Sequence, residues 1–277
     1  MTAVEQKAVT PDGDAVRARV RATWTAGDFD RIAVGFEDGA AEFVGRLRLK
    51  ANERVLDVAC GTGNLTLPAA RLGARVSGID IAPVAIGHLA QRADVEGLTI
   101  DAREGDAEAL PFADATFDTV MTMFGAMFAG HPDQAAAEML RVTRSGGRIA
   151  MANWTPDGFV GEMLKITVGY LPPPPGVPST LLWGVPEIVE ERLGAGVKRF
   201  QFKRRGMVLA YPMSPEETVN LFRTWYGPTV RAFGALDAAG QSGLFSDMVR
   251  LWSDHNTAGP NATRIESEFL EVVASRA

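Results

Sequence analysis

Residues 55–80 read VLDVACGTGNLTLPAARLGARVSGID, and their pattern decides the architecture. An apolar run over 54–59 gives way to small residues at alternate positions, Ala59, Gly61 and Gly63. A helical pattern starts near Asn64, and a second apolar run over 75–80 ends on Asp80. Strand, tight turn, helix and strand form the repeating unit of a parallel sheet wound with helices. Alternate small residues let the backbone bend sharply and approach a ligand where a side chain would otherwise stand. A carboxylate ending the second strand, as Asp80 does, is placed to accept both hydroxyls of a ribose. The unit predicts a nucleoside ligand, with a helix N-cap ahead of Pro83 as the plain structural alternative for Asp80.

Two common nucleotide ligands fit the spacing poorly. The dinucleotide fingerprint GxGxxG uses a third glycine for helix packing, and aligned on Gly61 and Gly63 that position is Thr66. A phosphate loop needs a lysine followed by serine or threonine after its glycines, and none is present.

The alternation of apolar runs and helical patterns continues to Asn153. Strands are expected at 54–59, 75–80, 98–104, 117–123 and 147–153. The third alternates Leu98, Ile100 and Ala102 with polar residues, the mark of an edge strand, whereas the first, fourth and fifth are nearly continuously apolar, as central strands are. Ile86, Leu89, Ala90 and Ala93 share one helix face, and Pro83 sits where a first-turn proline is tolerated. A helix over 133–144 is expected to stop at Gly146-Gly147. Beyond Asn153 the prolines of LPPPPGVPST, residues 171–180, impose a stiff connection. A helix at 186–194, a strand at 197–209, helices over 214–254 and a last strand at 263–274 complete the chain.

Composition narrows the function. A chain of 277 residues can bury a full core without disulfides or metals. Its formal charge of -6 and pI near 5.2 argue against sequence-independent nucleic-acid binding, which rests on a clustered basic surface. The densest basic run, Lys198, Arg199, Lys203, Arg204 and Arg205, alternates with Phe200 and Phe202 and reads as a half-exposed strand. With Cys60 as its single cysteine the chain can form no internal disulfide. The N-terminus has no apolar core of signal-peptide length, and no stretch approaches the roughly twenty apolar residues of a membrane span. A cytoplasmic protein with neither membrane nor nucleic-acid partner is expected.

Four segments in order over 55–154 carry a family resemblance. They are VLDVACGTG, GIDIAPVAI, EGDAEALPFADATFD and EMLRVTRSGGRIAMANW. Together they resemble the class I S-adenosylmethionine (SAM)-dependent methyltransferases, in particular the group similar to the ubiquinone and menaquinone biosynthesis enzymes. Ala59 stands where that family usually has its first glycine, and Ser145 where proline is common. The resemblance implies an α/β, Rossmann-like doubly wound seven-stranded sheet with an antiparallel last strand and a helical lid. The implied division is an N-terminal helical cap (1–50), a SAM-binding core (51–153) and a substrate-side segment with the sixth strand (154–209). The lid (210–261) and the last strand (262–277) follow.

The resemblance also implies site residues. Asp57 and the backbone of Ala59, Cys60, Gly61, Thr62 and Gly63 hold the methionine end of SAM, Asp80 the ribose, and Asp106 with Ala107 the adenine. Ile81 and Met123 complete the cofactor set, and Phe29 falls where relatives carry an aromatic residue over the cofactor, although ordinary packing explains it as well. S-adenosylhomocysteine is the implied product. Methyl transfer from a sulfonium needs alignment and water exclusion more than an acid-base pair. After the fourth strand, MTMFGAMFAGHPD lacks the Asn-Pro-Pro-Tyr type of element that binds flat amino groups, and Thr122 and Met123 do not supply the acids of magnesium-dependent O-methyltransferases, so no metal is expected.

His131, at the carboxyl end of the sheet, is the candidate general base, with a surface turn ahead of Pro132 as the alternative. His88 and His255 read as solvated. Asn153 and Trp154, leaving a central strand, and Phe159, Tyr170 and Trp225 are candidates for the acceptor side, with Met163, Trp183, Tyr226 and Phe233 as further pocket lining or as core beneath the lid. The implied acceptor is a small organic metabolite methylated at O, N or C. C-methylation of a quinone-like ring and cofactor binding without transfer are the other readings.

Overall fold

The computed structural model describes residues 13–277; residues 1–12 of the expected N-terminal cap lie outside them. Seven strands form one sheet in the order β3-β2-β1-β4-β5-β7-β6. They are β1 (Arg54–Val58), β2 (Arg75–Asp80), β3 (Asp101–Glu104), β4 (Phe117–Met123), β5 (Thr143–Trp154), β6 (Val197–Tyr211) and β7 (Thr263–Arg276). The first five pair in parallel, and β7 runs antiparallel between β5 and β6, so β6 points the same way as the first five. The chain order reverses between β1 and β4, the switch point outside which open α/β sheets bind ligands.

Three short N-terminal helices, α1 (Gly13–Thr25), α2 (Asp30–Ala33) and α3 (Glu37–Leu47), precede the sheet. Its crossovers carry α4 (Thr66–Arg71), α5 (Pro83–Glu96) and α6 (Pro132–Val142). Then come α7 (Phe159–Tyr170), α8 (Pro186–Leu193), α9 (Pro215–Trp225), α10 (Gly227–Ala235) and α11 (Ala238–His255). Local chemistry sets their ends. Pro83, Pro132, Pro186 and Pro215 occupy first-turn positions, and Ser214 with Glu217 forms a reciprocal capping box at α9. Gly97, at φ +66°, ends α5 in the left-handed conformation.

Two sequence expectations shift. The helix expected to run to the glycine pair stops at Val142, and the glycines lie inside β5. Gly146 (φ +71°) sits where the β4–β5 register jumps between the Phe117↔Thr143 and Thr119↔Arg148 pairs, and a side chain on Gly147 would stand 2.8 Å from the Asp118 carbonyl oxygen. Their role is a bulge and a close backbone approach. The third strand begins only at Asp101, because Leu98 and Ile100 pack beneath α5 against Cys60, Leu67, Leu89 and Ala93 before pairing starts. β3 is nonetheless an edge strand, as is β6, whose basic residues 198, 199, 203 and 204 are exposed while Phe200 and Phe202 stack on each other.

The loops ending β1 and β4 interlock at the switch point. Ala59 is held at φ +56° and Phe124 at φ +54°, a conformation costly for residues with a Cβ. Between them Gly125 has no room for a side chain: a methyl group there would lie 2.5 Å from the Ala59 Cβ and 2.8 Å from its carbonyl oxygen. The methyl group that Ala59 carries in place of hydrogen is thus accommodated by a glycine on the facing loop. Gly125→Ala is expected to destabilise the fold by about 1–3 kcal/mol through overpacking. Ala59→Gly introduced beside it should restore part of that loss, since it removes the nearer contact. Denaturant unfolding of the two single variants and the double variant checks this, and strictly additive effects would show that the two loops are not coupled.

Candidate active site

The carboxyl ends of β1, β2 and β4 open into a cleft of about 960 Å³. Its floor is the turn after β1, where Ala59 (φ +56°), Gly61 (φ +52°) and Gly63 (φ +99°) alternate in left-handed geometry. A side chain at Gly63 would collide with Leu89, so glycine is required there on both counts. Asp80 ties this turn to the end of β2: Gly61 N–H donates to its Oδ2 (2.8 Å) and Ala82 N–H to its Oδ1 (2.9 Å). Burial pushes the Asp80 carboxyl up, and the two backbone hydrogen bonds oppose that shift. Each oxygen keeps a lone pair for a further donor. Ala82 is the N-cap residue of α5, and Asp80 lines the cleft.

Asp57 lies beneath the turn instead of in the cleft, 1 % exposed, and accepts a hydrogen bond from Thr66 Oγ1 at 2.6 Å. Burial pushes its carboxyl up to about 7; the Thr66 hydrogen bond opposes this and the nearby Asp80 charge adds to it. Thr66, which breaks the dinucleotide fingerprint, therefore satisfies the one carboxylate buried in β1. Cys60 is buried, and that burial pushes its thiol up, which makes it a packing residue of the turn.

On the far side of Asp80, Asp106, Ala107 and Glu108 line the cleft. Asp106 Oδ1 accepts from Glu108 N–H (2.8 Å). Sequence reasoning missed Glu108, a carboxylate only 2 % exposed. It accepts from His131 N–H (2.8 Å), pairs with His131 Nδ1 (2.7 Å) and receives Arg17 Nε (3.1 Å). Burial alone would raise the Glu108 carboxyl, but these hydrogen bonds hold it below the usual range. His131 is thereby engaged as a strut. It borders a second cavity of about 930 Å³ with Pro132 and Arg192 and does not line the first, so the candidate general base stands outside the cleft.

The remaining wall is aromatic and apolar: Trp24, Phe29, Met123, Phe124 and Phe128 line it. Phe29 lies against the turn, 3.8 Å from where a Gly61 side chain would begin, and meets Trp24 edge-on. Ile81 and Thr62 also line the cleft. Phe124 stacks flat on Trp154, with ring centroids 3.6 Å apart.

None of the five acceptor-side candidates lines the cleft. Trp154 is buried behind Phe124. Phe159 packs edge-on against Trp252, and Tyr170 O–H donates to Asp247. Trp225 lies under the Arg31 guanidinium, and Asn153 is 1 % exposed with neither amide atom hydrogen-bonded. Trp183, Met163, Tyr226 and Phe233 belong to the core. The helices over 210–261 contribute no residue to the cleft and bear on it indirectly, as where Trp225 C=O accepts from Asp28 N–H (3.0 Å).

The roof comes from α1 and the turn after it, through Arg17, Val20, Trp24, Gly27 and Asp28. The signal for Phe124 and Phe128 was present, because both follow a central parallel strand at its carboxyl end. Among the described residues no group of three or more His, Cys, Asp or Glu could hold a metal ion, and no helix is long and apolar enough to cross a membrane.

The residues present fit a nucleoside cofactor: a left-handed turn with Phe29 against it, and two anchored carboxylates, Asp80 and Asp106, along one cleft. Comparison with known proteins agrees. A methyltransferase domain family matches residues 55–147. An uncharacterized protein of Mycobacterium tuberculosis is 37 % identical over 264 residues, covering 92 % of this chain and 93 % of the relative. The demethylmenaquinone methyltransferase of Renibacterium salmoninarum is 40 % identical over 121 residues, 43 % of this chain and 48 % of that enzyme. Among solved structures, the YcgJ protein of Bacillus subtilis superposes with a TM-score of 0.59 at 17 % identity, covering 87 % of this chain and 99 % of that one, a likeness of fold. The chain therefore belongs to one family with the Mycobacterium tuberculosis protein, and its residues 55–147 form a methyltransferase domain on the class I fold.

Proposed function

We propose that this protein binds SAM and transfers its methyl group to an O, N or C atom of a small organic metabolite in the cytoplasm. The observation that carries this reading is the single cleft in which the left-handed turn, Asp80 and Asp106 meet an apolar aromatic wall. When bound, SAM supplies an electrophilic methyl group on a sulfonium, and its departing product is neutral. In this reading Asp80 holds the ribose hydroxyls, Asp106 and Ala107 face the adenine, and the turn over 59–63 with Ile81 and Met123 holds the rest. Trp24, Phe29 and Phe128 keep water from the reacting end, where displacement depends on alignment. Asp57 carries the turn from below. The core over 51–153 with the last strand carries the cofactor, the N-terminal helices roof it, and the helices over 210–261 support that roof.

An apolar wall suits an uncharged, largely hydrophobic acceptor. C-methylation of a quinone-like ring is the more specific version, favoured by the partial match to a demethylmenaquinone methyltransferase. Turnover of labelled SAM against a panel of phenols, amines and reduced quinones tests both. Label on reduced quinones alone selects the second version, and tight SAM binding with no transfer to any acceptor class contradicts both.

Two predictions follow from the carboxylates. Asp80→Ala should weaken SAM binding about tenfold or more, because charged hydrogen bonds are worth roughly 1.5–3 kcal/mol. Unchanged affinity by calorimetry would remove Asp80 from the cofactor site. For Asp57, the folded carboxyl near 7 lies above the ordinary unfolded value of about 3.9, so the native state holds the proton more tightly than the unfolded chain does. The Asp57 contribution to ligand-free stability should therefore be fullest at low pH, decline as pH rises toward about 7, and level off above it. Asp57→Asn should remove this decline, so the melting temperature of the native protein relative to the variant falls across that window. A difference constant with pH would show that Asp57 is ionised throughout.

A further inference from the structure

The roof helix α1 is held down by charge. Of its thirteen residues only Val16 is buried, and Trp24 is half-buried against Phe29, Phe128 and Tyr226, so the rest of its attachment to the core falls to its charged residues. Arg17 and Arg21, one turn apart and so on one side of α1, meet three acids at alternate positions, Glu104, Asp106 and Glu108. Arg17 Nε lies 3.1 Å from Glu108 Oε2 and 3.5 Å from Asp106 Oδ2, and its Nη2 donates to Gln134 Oε1 at 3.1 Å. Arg21 Nη1 lies 2.5 Å from Glu104 Oε1. The catch is rigid on the core side, because His131 grips Glu108 through its backbone N–H and its ring. The other end of α1 is pinned. Gly27, just past its last turn, packs against the Trp225 carbonyl too closely for any side chain, and Arg231 donates to Thr23 Oγ1 (3.3 Å) as well as to the Arg19 carbonyl at mid-helix. Between these fixings Arg17, Val20 and Trp24 form the wall of the cleft.

We propose that Arg17 and Arg21 are positioning residues for the adenosyl cofactor: they seam α1 to the row Glu104, Asp106 and Glu108, hold Asp106 in place, and keep the roof closed over the bound nucleoside. This inference rests on the SAM-binding reading. Exposed ion pairs contribute little on their own, but Glu108 is buried, and opening the roof must break several charge-assisted contacts at once. The seam therefore acts mainly on how long the cofactor stays, and salt weakens it through its exposed members.

The test is the dissociation rate of S-adenosylhomocysteine, measured by stopped-flow displacement on the full chain. Arg17→Met should release it about tenfold faster, the scale of one charge-assisted hydrogen bond, while Arg17→Lys keeps the charge and recovers part of the residence time. Release from the unaltered protein should quicken as sodium chloride rises, and this dependence should shrink in Arg17→Met. If Arg17→Met does not fold, Arg21→Met, at a side chain 47 % exposed, carries the test with the same expected direction. Release at the unaltered rate from the folded arginine variants would overturn the proposal while leaving SAM binding intact, as would equal losses in Arg17→Met and Arg17→Lys. Failure of the unaltered protein to bind S-adenosylhomocysteine would overturn the SAM reading itself and this inference with it.

Discussion

The carboxylate of Asp80, held between Gly61 N–H and Ala82 N–H, is the interaction on which the site depends. It joins the end of β2 to the turn after β1 and fixes where that turn can go. The neighbouring glycines follow from it: the chain must pass through left-handed geometry at Gly61 and Gly63 to present backbone to Asp80 and still clear Leu89 as α4 begins. The same constraint reaches β4, since a turn bearing a methyl group at Ala59 leaves space only for glycine at position 125. A half-buried carboxylate so anchored is costly to desolvate, and its backbone donors are what make it tolerable.

Charge organises the rest. Asp57, Asp80, Asp106 and Glu108 converge around one cleft, each held differently: Asp57 by a threonine hydroxyl, Asp80 by backbone, Asp106 by the Glu108 amide, and Glu108 by His131 and Arg17. The opposite wall is aromatic, so polar recognition and water exclusion occupy different faces. The basic residues of α1 close the acidic side while Trp24 packs on the aromatic side, and together they hold the helix over the cleft.

Much of this was legible in the sequence, and the physical reasons for what was not are specific. Short strand patterns marked β1, β2 and β4 to within a residue, and the small-residue turn with Asp80 pointed to the cleft because their spacing is local. The glycine pair after α6 misled because a helix stop and a bulge both require glycine, and only the register with β4 distinguishes them. Trp154 and Asn153 were expected on the acceptor side from their place at a strand end, yet Phe124 turns through left-handed geometry and covers Trp154, which no periodicity reveals. Glu108 sits in a stretch matched for its adenine-facing acid, and its partners Arg17 and His131 lie 91 and 23 positions away. Pairings of that range are outside the reach of local pattern.

The most direct measurement is thermal unfolding of the full chain with SAM, S-adenosylhomocysteine, NAD and buffer alone. A ligand at about a hundred times its dissociation constant adds roughly 2.7 kcal/mol of stability, enough to raise the midpoint by several degrees. SAM binding in this cleft predicts stabilisation by both adenosyl compounds and none by NAD. Stabilisation by NAD alone, or by none of the three, would contradict it.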